Sequence, residues 1–342
     1  MEHYQRHPYK TFDEQIDYLE KEKKLIINNK EFAKEALMSI SYYSLINGYK
    51  DLFLKKDIAK EIFNDGTTFE MLYQIHWIDL SMSNLLFKYT LFVEKKLKIN
   101  VADIIAKNYS IQEDYYLDKR NYSSSKGKRG KYLDVCDAIE KAKQKDISAK
   151  HYVKKEQNVP PWIAAKAISF GSMVNWYSIL KDEDKKNVVN NLFKFLSNFK
   201  KEDKFDFAIR VIGQVYEYRN ISAHGNRNYL IQLPEKTKLL VSHSRMLNFD
   251  SEMVRSNNKG YYNCNLFSVM VSIILIINDN YVITNFISDI HSFLSQFDRP
   301  QYNFVGKSIY DLFDLPKDTV NRLKNIYYAV HHTKILDYLN FG

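Results

Sequence analysis

The chain has 342 residues, 45% hydrophobic and 27% charged, with only 10 Gly and 6 Pro and a formal charge of +9 from 50 Lys and Arg against 41 Asp and Glu. That composition belongs to a folded protein with a sizeable core rather than a disordered or low-complexity chain, and its basic balance favours an anionic partner. Two cysteines, Cys136 and Cys264, stand far apart without a CxxC partner, which leaves a disulfide framework and a zinc site without support and points to a reducing cytoplasm.

The opening stretch "MEHYQRHPYKTF" has no apolar h-region, so no secretory signal is expected. "TFDEQIDYLEKEKKL" then places Thr11 as an N-cap with Glu14 three residues on, a capping box before an amphipathic helix. "NKEFAKEALMSISYYSLINGYKDLFL" reads as a second helix with Phe32, Ala36, Leu37, Ile40, Tyr43 and Leu45 on one broad face and Gly48 ending it. From Thr68 to about Tyr109 a period near 3.6 runs without a proline, which predicts one very long helix or two with a short break. We divide the chain here, into an N-terminal helical region over residues 1–65 and a helical core over 66–342.

The texture changes at "DKRNYSSSKGKRGKY". Lys119, Arg120, Lys126, Lys128, Arg129 and Lys131 surround a Ser and Gly stretch with no acid after Asp118. Near 118–131 we expect a basic loop, either simply solvated or contacting RNA phosphate, with Tyr122 and Tyr132 able to stack on bases. "VPPWIAAKAISFGSMVNWYSIL" starts a helix with Pro160 and Pro161 at its head, where missing amide donors matter little, and a break near Phe170 and Gly171. "KDEDKK" separates it from a helix over "NVVNNLFKFLSNF", and "FDFAIRVIGQVYEYRNISAH" forms the next. The apolar run "NLFSVMVSIILII" spans 265–277, short of the roughly 20 residues a membrane span needs, so it predicts a buried helix. Helices near 281–297 and over "PKDTVNRLKNIYYAVHHTKILDYL" complete the chain. No 20- to 50-residue repeat and no sustained alternation appears, so the expected fold is all-α.

On a helical wheel Phe205, Ala208, Ile212, Val215 and Tyr216 gather on one face, and Arg219 falls in the middle of that stripe. A guanidinium there needs an anionic partner, a polar pocket or a wet interface. His224 follows five residues on, roughly 140° around an ideal helix, and Gly225 is a natural C′ residue that ends it. Either the last turn unwinds so that His224 folds back, or two copies of the helix meet about a two-fold axis and share a cleft. In both cases Arg219 would hold a phosphate while His224 moves protons near neutral pH. The opposing reading is structural: Arg219 pairs with a carboxylate such as Glu217 and His224 caps a helix end.

"YRNISAHGNR" resembles the catalytic signature of the HEPN superfamily, R-x(4 to 6)-H with a polar residue, here Asn220, directly after the arginine; the same form occurs in RNA-targeting type VI CRISPR effectors. Residues 9–53, the stretch "YYLDKRNY" at 115–122 and the P-x-W...SFG stretch at 159–180 are similar, in order and across most of the chain, to the Abi-like abortive infection family of the AbiD and AbiF type. The resemblance implies an all-α HEPN bundle with extra N-terminal helices and a metal-independent endoribonuclease without a cofactor. In it Arg219 and His224 of two protomers form a composite site, and Asn220 orients the pair or the phosphate. The ribose 2′-hydroxyl would attack the adjacent phosphate and leave a 2′,3′-cyclic phosphate. The resemblance also implies a homodimeric toxin restrained by a small structured RNA. Two departures concern packing: the helix after "SFG" reads "SMVNWYSIL", and the family's arginine in the long helix stands as lysine in "FVEKKLK".

Other candidates carry less. His331 and His332 with Asp337 lack the i, i+4 spacing of a helical metal pair. Asp79 and Glu94 lie too far apart on one helix to act as an acid/base pair, and read as satisfied polar groups. Arg227, close to His224, reads as solvent-facing or as a phosphate ligand. The rival functional readings are an RNA-binding module whose Arg/His pair grips phosphate without cutting, and a helical adaptor.

Overall fold

Thr11 opens the first helix, α1 (Phe12–Lys21): its hydroxyl accepts the Glu14 amide at 3.3 Å while the Glu14 carboxylate accepts the Thr11 amide at 2.7 Å, the capping box expected. The computed structural model describes residues 9–56, 59–196, 199–255 and 260–332. Among them the regular structure is helical, and extended pairing is confined to isolated bridges such as Ile26 with Thr68.

The second helix is shorter than its sequence suggests. α2 (Lys30–Ile40), capped by Asn29, stops at Ser41, whose φ of 75° no helix continues through. The chain resumes as a single wide turn over Tyr43–Asn47 and a 3₁₀ turn over Lys50–Leu52. That break rotates the register, so Tyr43 is 78% exposed while Leu45 and Ile46 are buried.

α3 (Phe69–Asn108) is one unbroken 40-residue helix, capped by the Thr68 side chain on the Met71 amide. At 1.5 Å per residue it is about 60 Å long. Leu72, Ile75, Met82, Leu86, Val93 and Leu97 recur at threes and fours along its buried side. After it come α4 (Glu113–Tyr116), α5 (Lys128–Lys145) and α6 (Ile147–Glu156). The basic segment is therefore only partly a loop, because helix begins at Lys128. α7 (Pro161–Ala167) has Pro161 in its first turn, and α8 (Phe170–Ile179) starts after a break at Ile168 and Ser169, just ahead of the expected point.

The charged "KDEDKK" is no separator. Asp182, Glu183 and Asp184 form the first turn of α9 (Asp182–Leu192), where carboxylates suit the positive end of the helix dipole. The helix expected to run to Phe199 stops at Leu192; residues 197–198 lie outside the described residues. α10 (Lys201–Ala223) carries the Arg/His stretch. α11 (Val241–Met246), α12 (Asp250–Met253), α13 (Leu266–Ile276), α14 (Asn280–Phe297), α15 (Ile309–Phe313) and α16 (Thr319–His331) follow.

Every residue of α13 is buried. No described helix is long and apolar enough to cross a membrane. α3 is the spine: α7, α9, α10 and α13 pack against it, and α10 also packs on α13. Buried side chains from Ile16 to Val330 join one hydrophobic cluster.

The terminal helix ends at His331 within the described residues; Asp337 and the rest of the expected helix lie outside them. His331 is an inward packing residue, its ring 4.6 Å from Tyr327 and 5.4 Å from Phe195, with Nε2 3.4 Å from the Ile274 carbonyl. Burial pulls its pKa down from 6.5 to about 4. A depressed base is neutral in the folded chain and protonated in the unfolded one between those values, so its contribution is present above pH 6.5 and lost as pH falls toward 4. We expect wild type to lose about 3 kcal/mol more than His331→Gln between pH 7 and pH 4, measured by urea unfolding; equal losses would refute it.

Candidate functional site

α10 is seated by apolar positions and one buried amide. Phe207, Ala208, Val211, Ile212, Val215 and Tyr218 face the core, and Gln214 donates to the Asn263 carbonyl and accepts from Ser272 of α13. The true stripe thus centres on Val211, Val215 and Tyr218. Arg219 lies at its edge rather than its middle, with its side chain 26% exposed.

The carboxylate facing Arg219 is Glu94 of α3, 3.4 Å from Nε, while Glu217 pairs with Lys236 instead. Glu94 is buried and also takes Lys98 at 2.9 Å. Among the described residues Nη1 of Arg219 has one hydrogen-bond partner, Asn220 Oδ1, at 3.5 Å. A structural arginine of the same chain looks different: Arg255 grips Asp314 with both nitrogens of its fork, at 2.5 and 2.6 Å. Arg219 is held from behind, and among the described residues no carboxylate fills its fork. Bidentate recognition of a phosphate uses that edge.

His224 is the C-cap of α10 and is exposed. Gly225, at φ +65°, closes the helix: its amide donates to the Ser222 carbonyl and the Asn226 amide to Ile221, a Schellman turn. The expected stop at Gly225 is found. Gly225→Ala should lower the unfolding free energy by about 1 kcal/mol, readable by denaturant titration; an unchanged midpoint would contradict a required left-handed turn. Among the described residues no hydrogen bond joins Arg219 to His224 within the chain.

Beyond the turn, the amides of Asn228 and Tyr229 donate to the carboxylate of Asp79 on α3 at 3.0–3.1 Å, and Tyr49 Oη donates to the same group at 2.9 Å. Burial raises Asp79 to about 6 against the opposing pull of these bonds. Arg227 is exposed, as one of its two expected readings has it, and its guanidinium also donates to the Gly48 carbonyl, lies 3.6 Å from Asp51 and stands over the Tyr229 ring.

The "SFG" stretch also reaches α10. Ser169 caps α8, Phe170 meets the Tyr216 ring edge-on, and a Cβ on Gly171 would lie 3.1 Å from Tyr216 Oη. The stretches at 41–53, around Asp79 and Glu94, and at 169–171 all converge on the last turns of α10 and the segment after it. In the sequence Asp79 and Glu94 read as satisfied polar groups, with no mark of the stretch after Val215 that they meet. The available signal was a carboxylate on the buried side of α3, beside Ile78 and Val93.

The basic segment is arranged differently from expectation. Lys119, Lys126 and Arg129 are exposed, Arg120 pairs with Asp118 at 2.5 Å, Lys131 is half-buried, and Lys128 donates to the Ser178 carbonyl at 2.7 Å. Tyr122 cannot stack on a base: it is 5% exposed, donates to the Tyr116 carbonyl and accepts from Trp176. Tyr132 donates to the Leu117 carbonyl. No hydrogen bond or ion pair joins this segment to α10 among the described residues.

A family model described as Abi-like protein matches residues 35–229, the span that holds the wide turn, α3, the SFG helix and the Arg/His stretch. Neither a curated protein nor a solved structure gives a match. On a family match over more than half of its length, the chain belongs to the Abi-like protein family.

Proposed function

We propose that this Abi-like protein is a homodimeric endoribonuclease of the HEPN type, of the AbiD and AbiF kind, serving as the toxin of an abortive-infection phage-defence system in the cytoplasm. The observation that carries the reading is Arg219: backed by buried Glu94, it leaves its fork open five residues before the exposed His224. Family membership itself suggests abortive infection.

The chemistry needs no residue beyond this stretch. His224 as general base takes the proton of a ribose 2′-hydroxyl; the oxygen attacks the adjacent phosphorus, and the P–O5′ bond breaks. An imidazolium, from the same or a second copy, returns a proton to the departing 5′-oxygen. The products are a 2′,3′-cyclic phosphate and a 5′-hydroxyl. Arg219 neutralises charge growing on the non-bridging oxygens, and Asn220, adjacent to its Nη1, orients it. Side chains diverging by roughly 140° on one helix favour a cleft shared by two copies about a two-fold axis. A small structured RNA as restraint suits the +9 charge.

Expression in bacteria tests this. Growth arrest with RNA degradation that disappears in His224→Ala, while the protein still co-purifies with RNA, is the expected result. RNA left intact by wild type and His224→Ala alike, with binding weakened by Arg219→Ala, would instead identify a phosphate-gripping module.

A further inference from the structure

The segment after His224 is gripped by groups that the phosphate chemistry does not use. Asp79, Tyr49, Asn228 and Tyr229 are 1–3% exposed. A buried carboxylate ordinarily needs a cation, yet among the described residues no Lys or Arg pairs with Asp79. Its charge is taken up by the two backbone amides and the Tyr49 hydroxyl. His76 Nδ1 lies 3.3 Å from that hydroxyl, and the Tyr49 and Tyr229 rings meet edge-on at 5.6 Å. On the outer side, Arg227 ties the same segment to Gly48 and Asp51.

His224, by contrast, has no side-chain partner among the described residues. Its place depends on backbone alone: the Schellman turn on one side and, four residues on, the amides held by Asp79. The two acids of α3 act at opposite ends of the stretch. Glu94 backs the arginine, and Asp79, fifteen residues earlier and about 22 Å along the helix, fixes the exit.

We propose that Asp79, backed by Tyr49, is a positioning residue for His224, and that residues 48–51 of the N-terminal region belong through it to the working site. This rests on the ribonuclease reading. Asp79 touches neither RNA nor the reacting atoms; it sets where the imidazole stands, and displacement by an ångström is enough to slow proton transfer.

Full-length wild type, Asp79→Asn and Tyr49→Phe are compared by hydrogen-exchange mass spectrometry and by steady-state cleavage of a single-stranded RNA carrying a fluorophore and quencher, with rates corrected for folded fraction. Asp79→Asn should exchange faster over residues 224–229 but not over 205–215, with kcat down roughly 10- to 100-fold and KM within about twofold. Tyr49→Phe, which keeps the charge and both amides, should move the same way by less, and carries the test if Asp79→Asn does not fold. A purely structural role would leave kcat per folded molecule unchanged, and that result overturns the proposal even if exchange rises. Unchanged exchange over 224–229 overturns it too. Wild type that cleaves nothing sinks the ribonuclease reading and the positioning role with it, whereas an active wild type matched by both variants sinks the positioning role alone.

Discussion

His224→Ala should still bind RNA while cutting it far more slowly than wild type. The substitution deletes an exposed side chain at a helix C-cap, where the backbone amide to Asn220 and the Gly225 turn remain, so the fold and the Arg219 fork survive. Only the group proposed to transfer protons is lost. General acid–base catalysis contributes about 10²- to 10⁴-fold, and a histidine serving as base, acid or both should account for a fall of about 10³-fold in cleavage. Affinity, set by phosphate contacts, should change little. Filter binding and a cleavage time course on the same preparations check both halves. Cleavage undiminished in the variant would remove His224 from the chemistry.

Glu94→Gln should be the most damaging single change away from the reacting atoms. Glu94 is 8% exposed and stands between Lys98 at 2.9 Å and Arg219 at 3.4 Å. Neutralising it leaves two cations facing each other with no anion. Breaking a buried pair from one side costs roughly 3–5 kcal/mol; with Arg219 a quarter exposed, roughly 3 kcal/mol is the expectation here. Chemical denaturation of Glu94→Gln, Lys98→Met and the double variant measures it: the double variant should be less destabilised than the sum of the singles, because Lys98→Met removes one unpaired charge. Strict additivity would contradict the shared pairing. Cleavage should fall as well, since Arg219 loses the group that aims it.

How much of this was legible in the sequence follows from the range of each interaction. Thr11 with Glu14, the proline-free course of α3, Pro161 at a helix start and Gly225 at a helix end are signals spanning a few residues, and each is found where local chemistry places it. The all-α fold follows from the same periodicities. Ser41 was opaque because a positive φ at serine has no sequence mark, and the register of Tyr43 was lost with it. "KDEDKK" reads as a spacer by its charge, although the same three carboxylates suit the first turn of a helix. Arg219 and His224 were visible as residue types, but their supports were not. Glu94 lies 125 residues from Arg219, and Asp79 about 150 from the amides it holds. Periodicity marks a carboxylate on a buried face without saying which group it meets. Tyr122 failed for the same reason: an aromatic beside lysines suggests stacking until Trp176, 54 residues on, is seen to cover it.

The most direct measurement incubates purified wild type, stripped of co-purifying RNA, and His224→Ala with total bacterial RNA in EDTA and maps the new ends. New 2′,3′-cyclic phosphates paired with 5′-hydroxyls, in the wild type alone, are the predicted result. Intact RNA with the stripped wild type, or ends bearing 5′-phosphates, would contradict a ribonuclease built on Arg219 and His224.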